Sequence, residues 1–381
     1  MGEPILVVVF LRGGADGLGL VCPASDENLI AARPEDLRVL RHGDGAGRQI
    51  AQEVADVDFR FHPNLGPLAD LYDAGDLSLI HASGLTEATR SHFDAEARIE
   101  RGLFGVTPPG DPSGWIGRWL AAANPGGPMP ALAVGTQQPA SLLGSGAAVS
   151  EALGDLMVAG GHWLAPALRA RLAAGFGDHG PLATPVAGLL HLSEMIGKRL
   201  WSEADQALLT YAPAVPYPEN PLTPSLMTVA QTIKQDMGLR VATVDFGSWD
   251  THVAQSGVFA EMAGWLAGSV MAFWRDLGPL QQDVSVVVMS EFGRRLRSNT
   301  AGGTDHGRGN VMFVLGPQAR GGRMVGRWPG LAHEALEEAA DLAVVTDYRA
   351  VLAEVLTGHM RLADGGRVFP GFDAAPLGLW G

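Results

Sequence analysis

An α/β fold with a largely parallel central sheet, helices on both faces and a capping insertion is what the sequence predicts, on three observations. Apolar, β-branched runs of strand length recur through the chain, amphipathic helical patterns lie between them, and one Ala-, Gly- and Pro-rich stretch interrupts the alternation. The strong strands are residues 5–11, 77–82, 240–246 and 284–289, each a near-continuous apolar run of the kind buried on both faces. Residues 311–315 and 131–134 are weaker members of the set. The clearest helix is residues 253–277, where Phe259, Met262, Ala263, Leu266, Val270, Phe273, Trp274 and Leu277 recur at three- and four-residue spacing. Residues 225–237 and 348–356 read the same way. Residues 105–218 carry fewer strand signals and end among Pro213, Pro216 and Pro218. They read as a cap inserted into a single domain that covers residues 1–381.

Composition sets limits on function. Hydrophobic residues make up 46% of the chain and charged residues 18%, and the net charge is −14. That is a core-forming composition, and its sign excludes a nucleic-acid backbone as partner. A small anionic substrate is still compatible, because a bound metal reverses the local field. The one cysteine, Cys22, allows neither an intramolecular disulfide nor a cysteine-based zinc site. Cys22-Pro23-Ala24-Ser25 lacks the proline position and the arginine of a sulfatase signature, so it reads as a loop thiol. No apolar run approaches the ~20 residues that cross a bilayer. Met1 leads into the first strand without a basic, apolar leader. The chain as numbered is therefore expected in the cytoplasm, or in the periplasm or outside if a leader has been removed.

Ligands of open α/β sheets bind beyond the carboxyl ends of the strands. The residues found there are consistent in chemistry. The first strand is followed by Arg12-Gly13-Gly14-Ala15-Asp16-Gly17, and the second by Thr89-Arg90-Ser91-His92-Phe93-Asp94. The third is followed by Gly247-Ser248-Trp249-Asp250-Thr251-His252, and the fourth by Ser290-Glu291-Phe292-Gly293-Arg294-Arg295. A later loop adds Gly303-Thr304-Asp305-His306-Gly307. Each residue also has a plainer reading. Asp16 could satisfy turn amides, and Ser91 or Asp250 could cap a helix. Arg294 and Arg295 could form a solvated face, or one could hold an anionic ester bidentately. Asp305-His306 between glycines is harder to dismiss, since flexible flanks let both side chains fold onto one ion. His62 fits a helix start, and His42, His162, His179, His191, His333 and His359 have no site context.

At these motifs the sequence resembles the bacterial family of unknown function DUF1501. The matching pieces are Leu11-Arg12-Gly13-Gly14-Ala15-Asp16-Gly17, His62-Pro63, Arg90-Ser91-His92-Phe93-Asp94, Gly114-Trp115, Trp249-Asp250-Thr251-His252, Ser290-Glu291-Phe292-Gly293-Arg294 and Gly303-Thr304-Asp305-His306-Gly307. Gly321-Gly322 and Trp328-Pro329 follow in order. That family is similar to the alkaline phosphatase and sulfatase superfamily, which implies an alkaline phosphatase-like sandwich holding two metal ions. The resemblance implies metal ligation by Asp16, Asp250, His252, Glu291 and His306, with Asp305 as a candidate replacement where Phe292 stands in place of a ligating histidine. It implies Ser91 as nucleophile, with Arg90, His92 and Arg294 in the catalytic group. Asp250 and His252 are two residues apart rather than the usual four. The twin-arginine leader usual in the family is not at the start of this sequence.

These readings lead to a metal-dependent hydrolase of phosphate or sulfate esters, with Ser91 or a metal-activated water as nucleophile. Arg12, Arg90 and Arg294 would bind the small anionic ester. The mixed carboxylate–imidazole set suits zinc or manganese, and calcium or magnesium if carboxylates dominate. Two alternatives stand beside it: a non-catalytic, metal-stabilised binding protein, and a phosphomutase or isomerase of the same superfamily. Neither a nucleic acid nor a membrane span enters any of them, and the oligomeric state is open.

Overall fold

A computed structural model describes residues 2–52, 54–103, 112–160, 162–176, 180–202, 204–205, 207–317, 319–373 and 375–380. The start of the expected cap at 105–111 and His179 lie outside the described residues. Nine strands build the central sheet: β1 (Ile5–Leu11), β2 (Leu77–Gly84), β3 (Ala131–Val134), β4 (Ala148–Ser150), β5 (Val241–Phe246), β6 (Val284–Ser290), β7 (Asn310–Leu315), β8 (Arg323–Val325) and β9 (Thr346–Asp347). Their order is β8-β2-β7-β6-β1-β5-β3-β4, with β9 paired to β2. Only β7 runs against its neighbours, so the sheet is mostly parallel as the apolar runs predicted. β3 and β4 lie within residues 105–218, and they extend one edge of this sheet.

Strand periodicity divides the core in two. From β1, Val7, Val9 and Leu11 face one layer, while Leu6, Val8 and Phe10 face the other. The first layer takes side chains from the helices Gly66–Asp73, Thr223–Lys234 and Gln255–Leu277. The second takes them from His92–Arg101, Trp115–Ala123 and Tyr348–Glu354. Central strands therefore must be apolar at every position, which is why the sequence shows them as runs without alternation.

The Gln255–Leu277 helix starts two residues later than its apolar pattern suggests, because Ala254 is left-handed at φ 46. The amides of Ala254 and Gln255 bond instead to the carbonyls of Ala301 and Gly302. The helical segment Gln255–Asp283 is, by length and composition, apolar enough to cross a membrane. Its Phe259, Met262, Leu266, Val270, Phe273 and Trp274 are buried in the sheet-facing core.

Buried histidines couple this core to pH. His81, inside β2, bonds through Nε2 to the Val21 carbonyl at 2.8 Å, and its Nδ1 accepts from the Ala82 amide at 2.9 Å. Burial pushes its pKa down to about 4, against the opposing pull of the Val21 carbonyl. Burial likewise takes His62 down to about 4 and lowers His359. Between the unfolded value of about 6.5 and these folded values the unfolded chain binds more protons. Stability present above pH ~6.5 should thus be lost as pH falls toward ~4, with a slope of up to roughly 1.4 kcal/mol per pH unit for each histidine. Urea unfolding of wild type and His81→Gln across this range checks it. The variant should show the shallower acid limb, and equal slopes would assign the acid loss to other groups.

Candidate metal centre

β1, β5 and β6 are adjacent and parallel, so the loops after them leave the same edge of the sheet. One buried cation pulls those loops together. Arg294, whose side chain is fully buried, donates from Nε to the Gly14 carbonyl at 2.6 Å and from Nη1 to the Thr304 carbonyl at 2.8 Å. Its Nη2 reaches the carbonyls of Gly13 and Trp249 and, at 2.7 Å, Asp250 Oδ1. Gly13 must lack a side chain for this approach. Its φ is 116, and a Cβ would lie 2.5 Å from the Asp250 amide nitrogen. Gly303 is under the same constraint from the His252 backbone, at 2.4 Å. Arg294 also opens a hairpin, Arg294–Ser298 with Thr304–His306, which carries His306 back to the cluster.

Three imidazoles meet Asp250 at this point. His306 Nε2 lies 3.0 Å from His92 Nε2, 2.9 Å from His252 Nε2 and 3.0 Å from Asp250 Oδ1. His252 Nε2 is 3.0 Å from the same carboxylate oxygen, and His92 Nε2 is 3.6 Å from Asp250 Oδ2. The opposite ring nitrogens each face an acceptor. His92 Nδ1 is 2.7 Å from Glu291 Oε1, His252 Nδ1 is 3.1 Å from Asp305 Oδ1, and His306 Nδ1 is 2.8 Å from the Arg90 carbonyl. Each Nδ1 therefore carries the proton, and each Nε2 presents a lone pair to its neighbours. Lone pairs at these separations repel unless positive charge lies between them. A divalent cation fits that requirement: ligand atoms of His92, Asp250 and His306 all lie within 4.8 Å of one another, and His252 Nε2 adjoins His306 and Asp250.

The electrostatics agree. Burial pushes the Asp250 carboxyl up, but the Arg294 guanidinium, through its hydrogen bond and its charge, outweighs burial and holds it below the ordinary carboxylate range. Asp250 is therefore an anion at any ordinary pH. Bonding to Glu291 raises the His92 imidazole, against burial. Phe292 fills the floor, its ring centroid 4.9 Å from those of both His92 and His306. The residue that departs from the expected ligand pattern thus packs two ligands from beneath.

The structure redistributes several expected roles. His92, read as a catalytic group, stands among the candidate ligands. Glu291 and Asp305, read as ligands, bond to the far sides of His92 and His252. Glu291 is buried and also accepts from the Gly13 amide at 2.8 Å and Ser290 Oγ at 2.9 Å. With Glu96 it forms a second acidic group around His92. Asp16, also read as a ligand, is bound by Arg33, which donates to its two oxygens at 2.6 and 3.1 Å, with both side chains fully buried. Gln255 adds a third bond to it at 2.8 Å.

Each of the three arginines expected to hold an anionic ester already pairs with at least one carboxylate. Arg12 pairs with Glu96, Glu100 and Asp245, Arg90 with Asp341 and Glu338, and Arg294 is the clasp described above. Ser91 occupies the N-cap position of His92–Arg101 but makes no capping hydrogen bond there. It is exposed and lies between the Arg90 carbonyl, bonded to His306, and the ligand candidate His92. Arg33, Gln255 and Asn310 escaped the sequence reading. Asn310 donates to the Ala15 and Phe292 carbonyls, tying the loop after β1 to the loop after β6. Nothing local marks these three, because their partners lie far away in sequence.

Residues 199–371 match the model of the family described as Protein of unknown function (DUF1501), which bears out the resemblance read from the motifs. No curated protein matches. Three solved structures are similar at low identity. The zinc complex of the C-terminal periplasmic domain of EptC from Escherichia coli aligns with TM-score 0.37 and 9% identity, over 83% of this chain and 73% of that one. A 2-O GAG sulfatase aligns with TM-score 0.33 and 12% identity, over 84% and 65%. Alkaline phosphatase from the Antarctic bacterium TAB5 aligns with TM-score 0.31 and 11% identity, over 83% and 93%.

The Asp16–Arg33 pair makes a separable prediction. Asp16→Ala leaves a buried guanidinium uncompensated, and should cost about 3–5 kcal/mol of stability. Because Asp16 stands outside the imidazole group, the folded variant should keep wild-type metal content. Elemental analysis beside thermal unfolding checks both, and loss of metal without loss of stability would return Asp16 to the ligand set.

Proposed function

We propose that this protein is a metal-dependent hydrolase of phosphate or sulfate esters, with one divalent cation held by His92, Asp250, His252 and His306. The observation that carries this reading is the convergence of Nε2 atoms with every Nδ1 already committed to an acceptor. Zinc suits three imidazoles and one carboxylate best, manganese next, and calcium or magnesium least.

A divalent cation at this point supplies a Lewis acid and a water acidic enough to act as nucleophile near neutral pH. The chain's own residues do the rest. Glu291, Asp305 and the Arg90 carbonyl hold the three rings in one tautomer and orientation. Arg294 keeps Asp250 ionised and fixed. Phe292 closes the floor against water. Ser91 offers an exposed hydroxyl beside His92, and its loss of the capping role leaves it available as an alternative nucleophile. With Arg12, Arg90 and Arg294 engaged by carboxylates, the negative charge of an ester would be met at the cation itself.

One observation favours a second reading, a metal-stabilised binding protein. Four protein donors can complete a tetrahedral set, which is the habit of structural zinc, whereas catalytic zinc keeps a position open. Coordination number separates the two: the hydrolase requires a fifth position for water or ester beside the four protein donors, and the binding protein requires none.

Protein purified without chelator should carry near-stoichiometric metal, and His306→Ala should lose it. Asp305→Ala removes the acceptor behind His252 and should weaken metal affinity by roughly 10–100-fold while leaving the four ligands in place. On chromogenic phosphate and sulfate esters, turnover should vanish with chelator and return with zinc or manganese. Ser91→Ala then separates nucleophiles. A fall of several orders of magnitude at unchanged metal content marks Ser91 as nucleophile, and near-wild-type turnover marks water. A metal-loaded protein inert on all these esters would support the second reading.

A further inference from the structure

The acceptor behind His306 differs in kind from those behind the other two rings. Glu291 and Asp305 meet their imidazoles through side-chain carboxylates, whereas His306 Nδ1 faces the backbone carbonyl of Arg90. A carbonyl is only as well placed as the loop that carries it. The same loop leads through Ser91 into His92, so its position sets two of the three rings. Its local ties are weak. The Ser91 side chain makes no capping bond, and the Ser91 amide reaches Thr89 Oγ1 at a long 3.3 Å.

The firm hold comes from far along the chain. Asp341 is fully buried, and its Oδ2 accepts from Arg90 Nε at 2.9 Å and also from Arg90 Nη2. Glu338 Oε2 accepts from the same Nη2 at 2.8 Å, from the solvent side. Both carboxylates belong to one short turn, in which Glu337 and Asp341 exchange backbone bonds at 2.9 and 3.0 Å. The turn is braced on the hairpin that carries His306: the Ala340 carbonyl accepts from the Leu296 amide at 3.0 Å, and Asp341 bridges to Arg295. One turn thus grips the loop of His92 and the hairpin of His306 together.

Two costs accepted in this turn set it apart from an ordinary surface ion pair. Glu338 and Ala339 are successive left-handed residues, at φ 50 and 55. Residues with a Cβ seldom adopt that conformation, and it persists where the surroundings over-determine it. Asp341 Oδ1 is buried without a hydrogen-bond partner, and Arg295 Nε, 3.8 Å away, is buried without one too. Stability alone would favour a carboxylate with both oxygens bonded. Here one oxygen is committed to Arg90 and the other is left over.

We infer that Asp341 is a positioning residue of the metal centre, which through Arg90 fixes the carbonyl that orients His306 and the entry of His92 into the cluster. The inference rests on the cation site proposed above and does not depend on its ester chemistry.

Zinc affinity, read by competition with a chromogenic chelator, and the visible spectrum of the cobalt(II)-loaded protein test it. Asp341→Ala should weaken zinc binding by roughly tenfold, the low end for partners of metal ligands because it acts at one remove. Its cobalt bands should shift from those of wild type. Asp341→Asn keeps an oxygen acceptor for Arg90 and should recover most of the affinity. Glu338→Gln, on the solvent side, should change little. Arg90→Leu should reproduce the Asp341→Ala loss, and it carries the test if Asp341→Ala fails to fold. The double variant should lose no more than either alone. Wild-type zinc affinity and cobalt bands in Asp341→Ala and Arg90→Leu, whatever their thermal midpoints, make the pair structural and overturn this inference alone. Losses that add in the double variant do the same. A wild-type protein that takes up neither zinc nor cobalt overturns the cation site, and this inference with it.

Discussion

The site depends on one buried guanidinium. The loops after β1 and β5 and the strand that returns His306 each turn backbone carbonyls toward it. Arg294 satisfies four of those carbonyls and Asp250 in a single planar group. A lysine could carry the charge, but its three donors on a flexible stem could not match acceptors fixed in a plane. The same contact keeps Asp250 anionic next to three imidazoles, so the clasp that assembles the loops also sets the charge of the cluster.

Two charge arrangements, one buried and one partly open to solvent, lie side by side and balance differently. Asp16 and Arg33 neutralise each other with both side chains fully enclosed, and further bonds from Gln255 to Asp16 and from Arg33 to the Leu296 and Arg295 carbonyls complete the set. That pair needs no third party. The imidazole cluster does, because its lone pairs face one another and its single carboxylate is already shared with Arg294. The contrast explains why an aspartate following the first strand can look like a ligand in sequence and belong to the scaffold in space. Gln255 joins the two, donating to Asp16 and accepting from Thr304, two residues before His306.

The parts of the fold legible in the sequence are those whose signal is local. Six of the sheet's strands stand out because burial on both faces demands continuous apolar runs. Ala148–Ser150, Arg323–Val325 and Thr346–Asp347 do not, since two or three residues on an edge carry no period. The site was legible to the same depth. Asp, Glu, His and Ser cluster after strand ends, and the structure gathers Asp250, His252 and His306 with His92. The division of labour among them was not legible. Whether Glu291 meets a cation directly or holds a ring that does is a matter of which atom it faces, and no spacing encodes that. The commitments of Arg12, Arg90 and Arg294 are equally invisible, because Glu100, Asp341 and Asp250 lie 88, 251 and 44 residues from them.

The central claim is that three imidazole Nε2 atoms and Asp250 share one cation. X-ray absorption at the zinc edge of the zinc-loaded protein tests this most directly. The account predicts imidazole scattering from three histidines with Zn–N near ~2.0–2.1 Å and one or more oxygens at about the same distance, and no sulfur. His306→Ala should remove one imidazole from that shell. An oxygen-only shell, or one unchanged in His306→Ala, would contradict it.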